Sequence, residues 1–270
     1  MPSFHQPGPS FHQPGAVLTD HLFEVPLDHS DRRGPQLTVY AREVVAKENA
    51  ARSAADLPWL CFLQGGPGQQ SPRPKGRDGW LDRALRDYRV LLIDQRGTGR
   101  STPANRLTLA CLGTPEAQAE YLMHFRADSI VADAELIRQQ LTGGAPWSVL
   151  GQSFGGFCAV TYLSKAPDGL AEAFITGGLP GLATTADDVY LATYPLVAAK
   201  IAAHYERYPD DIGQARRIAA YLLRKEVLVP SGTPLTRRPS CSYSLVTHRC
   251  RPRIWAAVSI EYCWGTYMSS

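Results

Sequence analysis

The sequence predicts an α/β fold, a mostly parallel sheet with helices on both faces, and three observations predict it. Two short apolar runs, Leu57 to Leu63 and Tyr88 to Ile93, stop at Gly65-Gly66-Pro67-Gly68 and at Asp94-Gln95-Arg96-Gly97. Continuous apolar runs of this length are what strands buried on both faces look like. A third run, Trp147 to Leu150, leads through Gly151-Gln152-Ser153-Phe154-Gly155 into a helical pattern. Between the second and third runs, Ser129 to Leu141 places Ile130, Ala134, Ile137 and Leu141 at helical spacing, with Asp128 or Ser129 available as N-cap. Strands alternating with helices imply parallel crossovers.

The elements follow in chain order. Residues 1–15 hold a tandem heptad, Pro-Ser-Phe-His-Gln-Pro-Gly from Pro2 to Gly8 and again from Pro9 to Gly15. Its prolines and glycines argue for an extended, disordered lead-in, and two copies are too few for a repeat architecture. Ala16 to Leu27 and Gln36 to Val45 alternate as half-buried strands around the turn-rich segment 28–35. Gly79 to Arg86 suits a short helix, Phe154 to Ala166 a longer one stopped by Pro167, and Ala173 to Ile175 one more strand closing at Thr176-Gly177-Gly178. The core therefore spans residues 16–183. Residues 184–225 are purely helical in pattern and read as part of an insertion over the core, and residues 226–270 have no sustained periodicity and no assigned place in the fold.

Composition narrows the classes. With 44% hydrophobic and 20% charged residues the 270-residue chain is a globular protein, and its net charge of +3 gives no reason to expect nucleic-acid or membrane partners. There is no basic, apolar leader at the N-terminus and no apolar stretch of transmembrane length, so the cytoplasm is the expected compartment. Cys61, Cys111 and Cys158 lie in or beside apolar patterns where small buried thiols are common. Cys241, Cys250 and Cys263 cluster near His248 with no zinc-type spacing, so neither a metal nor a disulfide framework is expected.

Three loops carry candidate chemistry. Gly151-Gln152-Ser153-Phe154-Gly155 between a strand and a helix has the pattern of the nucleophile elbow of an α/β-hydrolase, with Ser153 as nucleophile. Gly65-Gly66-Pro67-Gly68 can aim a backbone N–H at the oxygen of a tetrahedral intermediate; Gly66 is the favoured donor with Gly65 close behind, and Phe154 supplies a second N–H. In Asp94-Gln95-Arg96-Gly97-Thr98-Gly99-Arg100-Ser101 the glycines allow a tight loop that Asp94 and Arg96 pin by charge-assisted hydrogen bonds, as scaffolding more than as catalysts. A lone Gly-x-Ser-x-Gly is common at strand-to-helix turns. Three such loops at the carboxyl ends of successive parallel strands are not, because that is where α/β sheets put their sites.

Together these segments resemble the proline iminopeptidases, serine peptidases of the α/β-hydrolase fold. The likeness runs through Phe62-Leu63-Gln64-Gly65-Gly66-Pro67-Gly68, Leu92 to Pro103, and Leu150 to Phe157, within about Val17 to Lys225. It implies a cofactor-free exopeptidase acting on peptides with a free N-terminal proline. It also implies a helical cap, beginning near Thr184, that recognises the imino group with acidic residues; Glu206, Asp210 and Asp211 are acidic residues there.

The resemblance implies further strands after the cap, carrying an aspartate and then a histidine. The chain is expected to stop before them, by truncation or a frame shift after about Lys225, which leaves the sheet incomplete at its C-terminal side and the triad without its acid and base. Only His204 and His248 follow Ser153. His204 lies in a helical stretch and reads as a surface residue of the cap; His248, in the tail, is the remaining candidate for the base. The alternatives are a general hydrolase of small esters or amides and a non-catalytic remnant that binds peptides or a partner.

Overall fold

The computed structural model describes residues 5–50, 56–77, 79–179, 181, 183–228 and 235. The chain divides into two compact units, Met1–Pro180 and Gly181–Ser270.

The first unit is built on one sheet of seven strands in the order β1-β2-β3-β5-β4-β6-β7. They are β1 (His5–Gln13), β2 (Ala16–Pro26), β3 (Gln36–Ala46), β4 (Trp59–Leu63), β5 (Arg89–Ile93), β6 (Trp147–Gln152) and β7 (Leu170–Thr176). The pairs β1–β2, β2–β3 and β3–β5 are antiparallel, whereas β5–β4, β4–β6 and β6–β7 are parallel. Five strands, β2 and β4 to β7, therefore run in one direction. The helices of this unit are α1 (Lys47–Ala50), α2 (Gly79–Ala84), α3 (Arg106–Ala110), α4 (Pro115–Leu122), α5 (Ala127–Thr142) and α6 (Phe154–Lys165).

Two apolar cores follow from the period of two along the strands. On one face Phe23, Val39, Cys61, Leu63, Leu91, Trp147 and Val149 pack with Ile130, Ala134 and Ile137 of α5 and with Cys158, Ala159 and Tyr162 of α6. On the other, Leu18, Val44, Leu60, Phe62, Val90 and Leu92 pack with Leu81 and Ala84 of α2 and with Leu85. Every residue of β4 is buried, which is why that segment reads as an unbroken apolar run.

The tandem heptad departs from the disorder expected of it. Residues His5–Gln13 form β1 and pair with β2, with the register shifting by one residue between Pro7 and Ser10, where Gly8 and Pro9 bulge opposite Asp20. Proline lacks an N–H and is tolerated at the margin of a sheet, so a Pro-rich segment can be an edge strand. His5 Nε2 lies 2.9 Å from His21 Nδ1, and the His5 ring stacks on Phe23 at 4.6 Å. His21 in turn reaches Glu43.

Two smaller differences follow. Helix α5 begins at Ala127 with Arg126 at the N-cap and no side-chain cap, instead of using Asp128 or Ser129. Cys61 and Cys158 are buried as expected, but Cys111, at the end of the surface helix α3, is exposed. The second unit holds α7 (Ala186–Arg207), opened by a capping box between Thr185 and Asp188, and α8 (Asp210–Arg224). No helix among the described residues is long and apolar enough to cross a membrane.

Candidate active site

The strand order locates the site. After β4 the chain moves to β5 on one side, then returns past β4 to β6 on the other. The carboxyl end of β4 is thus a topological switch point, where the loops after β4, β5 and β6 converge.

Ser153 occupies the junction of β6 and α6 with φ of 52° and ψ of −115°, a left-handed conformation rare for a residue with a side chain. The surroundings hold it there. The Ser153 N–H donates to the Thr176 carbonyl at 3.0 Å, and the Ser153 carbonyl accepts from Gly156 N–H at 2.8 Å. A Cβ at Gly178 would overlap the Ser153 carbonyl oxygen, and one at Gly155 would overlap the carbonyl of Leu63 at the end of β4. Glycines at these places let two strands and a helix close around one strained residue.

The loop after β4 runs beside this serine. A Cβ placed on Gly65 would sit 3.0 Å from Ser153 Cβ and 3.7 Å from Ser153 Oγ. The Gly65 N–H is occupied, donating to Gln64 Oε1 at 2.9 Å. The N–H groups of Gly66 and Phe154 donate to no described residue. Phe154 is the first residue of α6, where the N–H groups have no partner within the helix and the helix dipole favours negative charge. The loop after β4 and the first turn of α6 thus each hold an N–H, that of Gly66 and that of Phe154, that donates to no described residue.

The loop after β5 is a fastening. Asp94 is fully buried and accepts from Ser71 N–H and from Arg73 Nη1, both at 2.9 Å, from Arg73 Nη2, and from Arg100 N–H at 2.9 Å. Arg96 donates through Nε to Asp133 Oδ2 at 2.7 Å and through Nη2 to Asp133 Oδ1. Its remaining N–H groups reach the carbonyls of Leu27, His124 and Pro26 at 2.8–3.0 Å. His29 Nε2 lies 2.8 Å from the same Asp133 carboxylate. One guanidinium thus ties the end of β2, the turn before α5 and α5 itself to the loop.

Asp133, Ser71 and Arg73 were not among the residues the sequence singled out. Asp133 carried a signal nonetheless, since it falls on the Ile130–Ala134–Ile137 stripe of α5, where a carboxylate demands a buried partner.

Among the described residues Ser153 Oγ makes no hydrogen bond to a histidine. His204 lies in α7 with Nε2 at 3.1 Å from Asp211 Oδ2, at the start of α8, with Asp210 beside it. Glu206 is also on α7. His248 lies outside the described residues. Among the described residues the two core cysteines are poor competitors for Ser153 as nucleophiles, because burial pushes the Cys158 thiol up to about 12 and Cys61 further still.

The elbow, the donor loop and the fold together define a class. The chain matches the family model for the alpha/beta hydrolase fold over residues 58–251, and it belongs to that family. Its sequence is 52% identical over 217 residues to a proline iminopeptidase of Aeromonas sobria, covering 80% of this chain and 50% of that one. A proline iminopeptidase of Aspergillus aculeatus is 39% identical over 217 residues, with 78% of this chain and 48% of the relative covered. One from Xylella fastidiosa is 30% identical over 178 residues, with coverages of 60% and 50%. The chain spans about half the length of the curated relatives it matches.

Proposed function

We propose that the protein is a serine aminopeptidase-type hydrolase that releases proline from the N-terminus of peptides. The observation that carries this is Ser153, held at φ 52° at the elbow beside Gly65 of the glycine-rich loop. The likeness to proline iminopeptidases supports the substrate class.

In this reading Ser153 Oγ attacks the carbonyl carbon of the N-terminal prolyl residue while a base takes its proton. The carbonyl oxygen, now negative, is held by Gly66 and Phe154 N–H. Collapse expels the amine of the shortened peptide, which receives the proton, and leaves prolyl-Ser153. Water then releases proline. The base must come within about 2.6–3.2 Å of Oγ. We assign His248 as the candidate for it, and the acidic residues Glu206, Asp210 and Asp211 as candidates for binding the imino group. Asp94 and Arg96 hold the loops and take no part in bond making. The setting is read as cytoplasmic, which cell fractionation checks.

Turnover of proline-arylamide, N-acyl-proline-arylamide and a simple aryl ester tests the proposal, with Ser153→Ala and His248→Ala alongside. Because no histidine among the described residues is bonded to Ser153 Oγ, the expected result is turnover of the free imino substrate barely above that of Ser153→Ala. Robust turnover lost in both variants would overturn this and make His248 the base. A missing base alone costs about 10⁶-fold in a serine protease, which sets the size of the deficit expected. Equal turnover of the blocked substrate would identify a general hydrolase instead. Binding of proline peptides without turnover would identify a non-catalytic peptide-binding protein.

A further inference from the structure

Two glycine-rich segments far apart in sequence, Gln64–Gly68 and Asp94–Ser101, meet through a hydrogen bond that bears on the geometry at Ser153. The Gln95 side chain is buried, 2% exposed, and donates from Nε2 to the main-chain carbonyl of Gln64 at 3.1 Å. A carbonyl only accepts, so the amide nitrogen must be the end that faces it. The bonded carbonyl belongs to the peptide unit whose N–H is that of Gly65, and this N–H is held by Gln64 Oε1. The Gln64 side chain then closes on the far end of the loop, donating from Nε2 to the Gln70 carbonyl at 3.3 Å. Gln95 is itself immobilised, its carbonyl accepting from Thr98 N–H at 3.0 Å and from Thr98 Oγ1 at 2.7 Å.

We infer that Gln95 is a positioning residue for the oxyanion site: it fixes the Gln64–Gly65 peptide plane, the anchor from which the chain reaches the Gly66 N–H one residue on. The inference rests on the proposed reading of Ser153 and Gly66. A peptide plane is rigid, so a hydrogen bond that fixes the Gln64 carbonyl also fixes the Gly65 N–H on its opposite side. The far end of the loop is fastened separately, by Ser71 N–H to Asp94 and Ser71 Oγ to the Ile93 carbonyl. Between the two ends, Gly66 and Gly68 take positive φ values of 125° and 92°, which a side chain would disfavour. Gln95 touches no reacting atom. Its effect would appear where the donors must meet a developing charge, since misplacement by about 1 Å costs up to about a hundredfold in rate.

The test uses the whole chain with Gln95→Glu and Gln95→Met, which keep the length of the side chain and remove its N–H donor. Two quantities are read. The first is hydrogen exchange of the Gly65 amide by NMR, which needs no catalysis. The second is the affinity for a boronic-acid analogue of proline, which forms a tetrahedral adduct on a serine, relative to prolinamide, which does not. At pH 7 both variants should exchange the Gly65 amide about tenfold faster, with the amides of Cys61 and Val149 unchanged. The boronate-to-amide affinity ratio should fall by about tenfold to a hundredfold. At pH 5 the Gln95→Glu variant should recover part of both effects, because a protonated carboxyl donates again, and Gln95→Met should not. Unchanged Gly65 exchange overturns the inference. So does equal acceleration across β4 and β6, which would make Gln95 a packing residue only, or an unchanged affinity ratio. A wild-type chain that binds neither ligand removes the peptidase reading instead, and Gly65 exchange then decides the inference alone.

Discussion

Arg96 and Asp133 form a two-pronged ion pair with both side chains almost wholly removed from water, at 0% and 3% exposure. Burial makes the pair demanding in a one-sided way. An intact pair roughly offsets its own desolvation, whereas a single partner left behind is an unpaired charge in a low-dielectric interior.

Asp133→Asn should therefore destabilise the protein by about 3–5 kcal/mol, although it preserves the shape of the side chain. Arg96→Lys should also be costly, because an ammonium cannot reach Asp133 and three carbonyls at once. Urea unfolding of the two variants checks both. A loss under about 1 kcal/mol in Asp133→Asn would show that water reaches the pair and that α5 is not anchored through it.

Gly155→Ala sets two effects of opposite sign against each other. Alanine in a helix gains about 1 kcal/mol over glycine. The added methyl would meet the Leu63 carbonyl of β4 at overlapping distance, with Gln64 O at 3.1 Å. Neither neighbour is a flexible side-chain end, so the steric term should win, with a net loss of about 1–3 kcal/mol or more. Chemical denaturation gives the sign directly. A stabilised variant would mean that α6 can move away from β4.

The His5–His21 contact makes the β1 edge sensitive to acid. Burial, and after it the neighbouring His21, hold the His5 imidazole below its ordinary value of about 6.5. A folded-state value below the unfolded one means that docking favours the neutral ring. The stabilisation is complete above about pH 6.5 and is lost as the pH falls through the lowered value. Hydrogen exchange of residues 5–13, corrected for intrinsic rates, should accelerate relative to β3 between pH 7.5 and 5. His5→Phe, which retains the stacking on Phe23, should remove the pH dependence. A variant that keeps it would shift the responsibility to the His21–Glu43 contact.

How much of this was legible depended on whether a residue's role was written in its neighbours along the chain. Strands β4 to β6 stood out because burial on both faces leaves β4 wholly apolar and β5 and β6 mostly so. The elbow and the donor loop stood out because a positive φ or a close backbone approach leaves glycine behind. The segment holding α3 and α4 gave no such signal, having no buried residue to set a period. Asp133 was hidden among residues read only for their apolar spacing. The ties from Gln95 to Gln64 and from Ser71 to Asp94 join residues 31 and 23 positions apart, and distance in sequence erases such pairings from any local pattern. The heptad misled because proline and glycine were read for what they forbid inside a sheet and not for what a sheet margin permits.

The bulge at Gly8 and Pro9 has a consequence for how the duplicated segment is accommodated. A repeat of seven residues is odd, and in a regular strand the second copy would show the opposite side from the first. One extra residue restores parity. His5 stands opposite Phe23 and His12 opposite Val17, six residues apart on β2, so both copies turn the same side of the heptad the same way. A copying event that would have turned the strand inside out is absorbed at a single kink, and a sheet edge able to do this can lengthen by odd increments without being rewritten.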